Sequence, residues 1–301
     1  MPIVPDFPQY KPVSDDMGDE LLPFFQKQTD GICEYTLASV LLDNHTYRYA
    51  ISRVSDDTLL LCGHDADGKR FLSIVGDLPD EQTVRAIIAS PDAQSCAYIK
   101  NLSERNATEN AGIFSALGLS PRLDRDNCDY LYRRDDLAFL RGKAFHKKKN
   151  LVNGFHAAYS AAVRAIDDTT VNDAQEILRR WRDSRRERNE DDGDFSACAI
   201  ALQNREPLSL AGIIVYADGT PAGFSLGEVI AGGTIFDTHF EKGIDGVHGI
   251  YQVVNNEQAK MLPESVTLIN REQDLGDEGL RQAKLSYRPC AFVNKYRVEL
   301  H

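Results

Sequence analysis

Two short stretches of this 301-residue chain gather polar residues of complementary chemistry. In INREQDLGDEGLRQAKLSYRPC, residues 269–290, a strand-like start delivers Asn270, Arg271, Glu272, Asp274, Lys284, Tyr287 and Arg288 to one loop and helix. Polar groups at the carboxyl end of a strand are placed to line a cleft. Arg271 and Glu272 would orient a substrate amino or carboxyl group, with Asn270 and Lys284 as further contacts. Tyr287 would protonate a leaving group as a positioned general acid. An internal salt-bridge and turn network, with Gly276 and Gly279 opening the helix, explains the same residues equally well. In EKGIDGVHG, residues 241–249, Gly243, Gly246 and Gly249 let the backbone approach a ligand closely, which suits an anion. Glu241, Asp245 and His248 surround this loop. Glu241 is the candidate general base for an attacking amine or hydroxyl. Asp245, beside Gly246, reads better as the N-cap of the following helix.

A third concentration is basic. Arg141, Lys143, Lys147, Lys148 and Lys149 fall within nine residues, together with His146, and no acid interrupts them. If 143–155 is helical, Lys143 stacks on Lys147 and His146 on Asn150, while Phe145, Val152 and Phe155 lie near the opposite side. Ammonium groups at this spacing suit phosphates or carboxylates, acting as point charges. Lys143, His146, Lys147, Lys148 and Asn150 are therefore candidate substrate contacts, with Lys147 and Lys148 gripping the anion. A solvated helix face is the competing explanation. The stretch 179–194, RRWRDSRRERNEDDGD, mixes both signs and reads as a surface helix that turns Ile177, Leu178 and Trp181 inward.

Other chemistries find no support. The six cysteines lie about thirty or more residues apart, without CxxC or zinc-ligand spacing, so they read as reduced and mostly buried, and no metal site is expected. No nucleophile triad or phosphate-binding P-loop can be assembled. With 42% hydrophobic and 27% charged residues the composition is that of a folded globular protein. Apolar runs such as 37–42 and 211–217 fall far short of the ~20 residues a membrane-spanning helix needs. The amino terminus has no secretory-signal pattern, so a cytoplasmic location is expected.

The net charge of −12 is unevenly spread: residues 1–140 carry 13 basic and 23 acidic side chains, residues 141–301 carry 21 and 23. The near-neutral second half can thus hold a basic site that the total conceals. Periodicity predicts helices over 14–28 and 32–42, strands over 47–54, 58–63 and 70–75, a helix from about 79, a strand over 95–100, a helix from 103 and a strand over 129–133. The second half reads as helices over 143–166 and 171–189, strands over 195–202, 209–216, 221–230 and 234–239, a helix over 246–261, a strand over 266–270, a helix over 276–285 and a last strand over 291–300. The matching order suggests two copies of one α+β unit, residues 1–140 and 141–301, the second carrying the candidate site.

Paired helices before an antiparallel meander, then a helix leading into further strands, is the order of the GNAT (acyl-CoA N-acyltransferase-like) fold. Within that order, the stretches DYLYRRDDLAFLRGKAFHKKKNLVNGF (129–155), HFEKGIDGVHGIYQVVNN (239–256) and 269–290 together resemble stand-alone bacterial proteins related to the C-terminal catalytic domain of phosphatidylglycerol lysyltransferase. The resemblance implies an α+β chain of two tandem GNAT-like domains with mixed, mainly antiparallel sheets. It implies transfer of an aminoacyl or acyl group to an amine or hydroxyl acceptor by direct attack, with acyl-CoA or aminoacyl-tRNA as donor. In GNAT enzymes the loop corresponding to EKGIDGVHG holds the donor pyrophosphate, although this loop lacks the usual Arg/Gln-x-x-Gly-x-Gly/Ala pattern. The net charge counts against the broad positive surface that tRNA requires. Peripheral membrane contact through the basic cluster is compatible with the sequence, and DNA is not an expected partner. The alternative function is a non-catalytic protein that uses the cleft to sense a small anion.

Overall fold

A computed structural model of the chain describes residues 2–300. It is a mixed α+β structure with two mainly antiparallel sheets, and the chain divides into two units. Unit 1 comprises the residues up to Asp129, with Gln273–Glu278 and those from Phe292 onward; unit 2 comprises Tyr130–Glu272 and Gly279–Ala291.

The strands, in chain order, are β1 (Lys11–Pro12), β2 (Ala50–Ser55), β3 (Thr58–His64), β4 (Arg70–Gly76), β5 (Tyr98–Ser103), β6 (Arg122–Leu123), β7 (Asp129–Arg133), β8 (Ala161–Ala165), β9 (Ala211–Ala217), β10 (Thr220–Ile230), β11 (Ile235–Gly243), β12 (Leu268–Asn270), β13 (Ala291–Val293) and β14 (Lys295–Glu299). One sheet runs β1-β2-β3-β4-β5-β14-β6, the other β13-β7-β12-β11-β10-β9-β8. All their pairings are antiparallel in the registers observed except β4 with β5 and β11 with β12.

Local chemistry sets many boundaries. Ser103 caps the helix Glu104–Glu109 by accepting from the Asn106 amide, and Asp80 caps Glu81–Ala89 by accepting from Thr83. Asp218 and Gly219, both with positive φ, close the β9–β10 hairpin. Several expected boundaries shift, and three elements differ in kind or continuity. The run 195–202 is a helix, Phe195–Gln203, whose buried Ala197, Cys198, Ala201 and Leu202 recur at helical spacing; a short apolar run does not declare its period, and alanine favours the helix. The helix expected over 143–166 ends at Ala158, because residues 161–165 pair with β9 as strand β8. The run expected over 291–300 breaks at Asn294 into β13 and β14.

Unit 1 encloses a charge. Lys295 is fully buried; its ammonium donates to Asp129 Oδ1 at 2.6 Å and to Glu34, with Cys33 Sγ at 3.5 Å. Cys33, Glu34 and Asp129 stand close enough together to ligate a metal ion, but the Lys295 ammonium already lies among them. Burial works against the Lys295 charge, yet Asp129, Cys33 and Glu34 outweigh it and hold the ammonium's pKa well above normal. Removing one partner of such a group strands the others without compensation. Lys295→Met should therefore lower the unfolding free energy by about 3–5 kcal/mol in denaturant titration; an unchanged midpoint would show that the buried carboxylates do not depend on it.

Candidate active site

The helix Ile250–Met261 follows β11 through the loop 244–249 and packs against β9, β10 and β11. Gly223 and Gly243 lie beneath it, where an added Cβ would come within 2.7 Å of Ile250. Helix and strands approach closely, and the polar residues at their end are drawn together. Among them, Arg271 Nη2 lies 3.2 and 3.1 Å from the two carboxylate oxygens of Glu241, and both side chains are largely buried. The Arg271 guanidinium lies 4.9 Å from the centroid of the buried Tyr287 ring, and Lys148 Nζ lies 3.9 Å from the same centroid. Tyr132 meets Tyr287 edge-on at 6.5 Å and donates its hydroxyl to the Lys284 carbonyl at 2.9 Å. Lys284 Nζ in turn donates to the carbonyls of Arg271 and Glu272 at 2.5 and 3.0 Å.

The electrostatics follow from burial and neighbours. Burial raises the Tyr287 pKa, opposed by Arg271 and by hydrogen bonding to Gln252 and Arg271, so the phenol keeps its proton at neutral pH. For Arg271 burial opposes the charge, but Glu241 restores it. Burial, and then Arg271, lowers the Lys148 pKa. No carboxylate lies within 4.0 Å of Lys148 among the described residues, and its ammonium lies over the Tyr287 ring.

Glu241 and Arg271 meet because of an irregularity in β11. Thr238 pairs with Gly227 and Phe240 with Leu226, leaving His239 as the extra residue of a β-bulge. The bulge reverses the alternation, so Asp237 and Glu241 leave the strand on opposite faces. Glu272 goes with the His239 side. Its backbone is left-handed, its amide donates to Asn270 Oδ1 at 2.7 Å, and its carboxylate contacts His239 Nδ1 at 3.2 Å. His239 Nε2 contacts Glu228 at 3.0 Å, and Asp237 is 3.9 Å from Nδ1.

The structure thus brings Glu241, Arg271, Tyr287, Lys148 and Lys284 together, and takes Glu272 and the buried Asn270 to a second cluster. Lys143 lies in a short 3-10 turn ahead of the helix His146–Ala158, so it does not stack on Lys147. Lys143, His146, Lys147 and Asn150 are exposed, while Phe145, Val152 and Phe155 are buried. Lys148, one helical turn before Val152, rolls toward the buried side, away from Lys147.

At the loop 244–249, a depression of about 320 Å³ is lined by Ile244–Gln252. Gly249 has φ 83°, and a Cβ there would fall 2.7 Å from the Leu151 carbonyl oxygen, whereas at Gly246, φ 84°, the space is open. Gly243 belongs to β11. Asp245 is not the N-cap: the helix starts at Ile250 after Gly249, and Asp245 accepts from Ser184 and Arg188. No motif or spacing in the sequence singles out Tyr132, Gln252 or His239. The D-T-H-F-E run carried a polar signal, but strict alternation misassigns its faces.

Burial opposes a charge on His239, yet Asp237, Glu228 and Glu272 hold its pKa well above the ordinary 6.5. A folded-state pKa above the unfolded one contributes stability that is complete below about pH 6.5 and is lost as pH rises through the folded value. Denaturation midpoints should therefore fall as pH is raised from 6.5, and His239→Gln should flatten that slope while lowering stability at pH 6. An equal slope in the variant would assign the dependence to other groups.

Comparisons with known sequences and structures give the family and the fold. Residues 32–299 match the family described as phosphatidylglycerol lysyltransferase, C-terminal. An uncharacterised protein of Mycoplasmoides gallisepticum is 22% identical over 188 residues, which cover 59% of this chain and only 58% of that protein. A conserved protein of unknown function from Bacteroides thetaiotaomicron superposes with a TM-score of 0.83 at 27% identity, over 97% of this chain and 99% of that one. L-PGS of Bacillus licheniformis has a TM-score of 0.64 at 11% identity, over 96% and 92%. A tandem GNAT protein of the clavulanic acid pathway reaches 0.50 at 11%, over 97% and 98%. The fold is thus tandem GNAT-like, and no helix among the described residues is long and apolar enough to cross a membrane. With the family match spanning nearly the whole chain, this protein belongs to the phosphatidylglycerol lysyltransferase C-terminal family.

Proposed function

We propose that unit 2 transfers an aminoacyl or acyl group from an activated ester or thioester to an amine or hydroxyl, at the cluster of Arg271, Lys148 and Tyr287. The observation that carries this reading is the placement of two cations on one buried tyrosine ring, with Lys148 Nζ 3.9 Å and the Arg271 guanidinium 4.9 Å from its centroid.

The acceptor nitrogen or oxygen attacks the donor carbonyl carbon, forming the new C–N or C–O bond and a tetrahedral oxyanion. Lys148 and Arg271 stabilise that charge in a site that limits water. The donor C–O or C–S bond then breaks; Tyr287 gives its proton to the departing atom and regains one from the attacking group. Glu241, its oxygens held by Arg271, acts by orienting the guanidinium and not as the base. Binding both partners in the depression supplies the positioning term. Family membership favours an aminoacyl donor. The exposed Arg141, Lys143, Lys147 and Lys149, with no carboxylate within 4.0 Å among the described residues, offer phosphate contacts despite the net charge of −12. Acyl-CoA remains the second donor, and an anionic lipid headgroup or an amine the acceptor.

One observation favours the second reading, ligand sensing without turnover: Glu241 is engaged by Arg271 and Glu272 by His239, so neither carboxylate stands free as a base. Single-turnover assays with aminoacyl-tRNA and with acyl-CoA, each against amine and hydroxyl acceptors, separate the two. Transfer is expected, reduced about 10²–10³-fold by Arg271→Met, and Lys148→Ala should cost more than Lys147→Ala. Donor binding without transfer supports sensing, and absence of both binding and transfer overturns the transferase reading.

A further inference from the structure

The helix Val171–Glu187 ends in a concentration of charge. Residues 179–188 carry six arginines against Asp183 and Glu187, while residues 190–194 carry four acids and no base. Asn189, with a left-handed backbone, reverses the chain, so the acidic turn folds back on the helix it follows. There it meets the arginines in succession. Arg185 Nη1 lies 2.9 Å from Glu190 and Nη2 2.9 Å from Asp191, Arg186 Nε lies 2.6 Å from Asp192, and Arg188 Nε lies 2.8 Å from Glu190. Gly193 rests on Trp181, where an added Cβ would lie 3.3 Å from the ring.

Two features distinguish this arrangement from scattered surface ion pairs. Every carboxylate within 4.0 Å of Arg185 and Arg186 among the described residues comes from this one turn, and the Glu190, Asp191 and Asp192 side chains remain 39, 85 and 42% exposed. Pairs so exposed contribute little, so little holds the turn down. The arginines also stand at the rim of the loop 244–249: Arg188 donates to Asp245, which lines the depression there, and Ser184 donates to the same carboxylate.

We propose that the arginine face of Arg185, Arg186 and Arg188 binds a multiply charged phosphate group, and that the turn Glu190–Asp192 is its built-in competitor, lying in the phosphates' place until a ligand displaces it. Guanidinium groups grip carboxylate and phosphate oxygens through the same forked geometry, so one anion can replace the other. This rests on the transferase reading, which it deepens by adding a control: the chain's own carboxylates weaken its hold on phosphates that arrive beside the depression.

In the full chain, Glu190→Gln combined with Asp191→Asn and Asp192→Asn removes the competitor and keeps the arginines. Its melting temperature should stay close to that of the wild type, since only exposed pairs are lost. Calorimetric titration with inorganic tripolyphosphate at low ionic strength should show about tenfold tighter binding by the triple variant than by the wild type. Asp192→Asn alone, which frees Arg186, should give a smaller gain in the same direction. Arg185→Met combined with Arg186→Met should abolish binding. Trp181 is the only tryptophan of the chain, so its emission reports the turn that covers it. That emission should change as tripolyphosphate saturates the wild type. A short single-stranded RNA, titrated in the same way, distinguishes an extended phosphate backbone from a compact group; a gain in the triple variant for either anion supports the proposal. Equal affinity of wild type and triple variant for both anions overturns it, as does absence of binding by either protein or binding that survives loss of both arginines. So does saturation that leaves Trp181 emission unchanged, because the turn then stays in place. Each of those outcomes leaves the transferase reading to the single-turnover assay, where transfer and its loss in Arg271→Met decide.

Discussion

The ion pair between Glu241 and Arg271 depends on one extra residue. Without the bulge at His239, strict alternation would send Glu241 to the face that carries Asp237, and Arg271 would be left buried without a counter-charge. With it, the strand delivers a carboxylate to each face, one for the guanidinium and one for the imidazole. The guanidinium in turn flanks Tyr287, whose ring also carries Lys148. Bulges re-aim side chains at the cost of a locally broken ladder. Here that displacement separates two polar clusters within a single unit.

Each unit therefore encloses charge, and each does so with compensation close at hand. Lys295 sits among Asp129, Glu34 and Cys33 in the first; Arg271 with Glu241, and His239 among Glu228, Asp237 and Glu272, in the second. A buried ion is tolerated only with near-ideal partners, and its net contribution to stability is small even then. Such groups make the fold specific and sensitive to any single loss. The contrast is with the surface helix Val171–Glu187 and the turn after it, where Arg185, Arg186 and Arg188 pair with Glu190, Asp191 and Asp192 in solvent. Those exposed pairs contribute little.

Family membership and the polar cluster bear on function in different ways. Membership of the phosphatidylglycerol lysyltransferase C-terminal family brings transfer chemistry into view, and the tandem GNAT-like fold supplies a loop before a helix, with a depression beside it. Neither specifies which side chains act. The proposed assignment rests on the convergence of Lys148, Arg271 and Tyr287, which stand far apart in the chain. The basic cluster that dominated the sequence divides in the folded chain: Lys148 turns to the aromatic site and its neighbours remain in solvent.

Much of this was legible in the residue order. The strand 129–133, the helix start at 103, the inward face of Ile177 and Leu178, and the grouping of Arg271, Lys284 and Tyr287 all follow from local propensity and spacing, which a single segment carries by itself. The helix Phe195–Gln203 and strand β8 were not legible, since a short apolar run and an alanine-rich one take their form from the neighbours they pack or pair with. The bulge at His239 lay beyond reach for the same reason. A ladder's register is a property of two strands, and only their pairing decides which face each carboxylate takes, and so why Glu241 meets Arg271 while Glu272 meets His239.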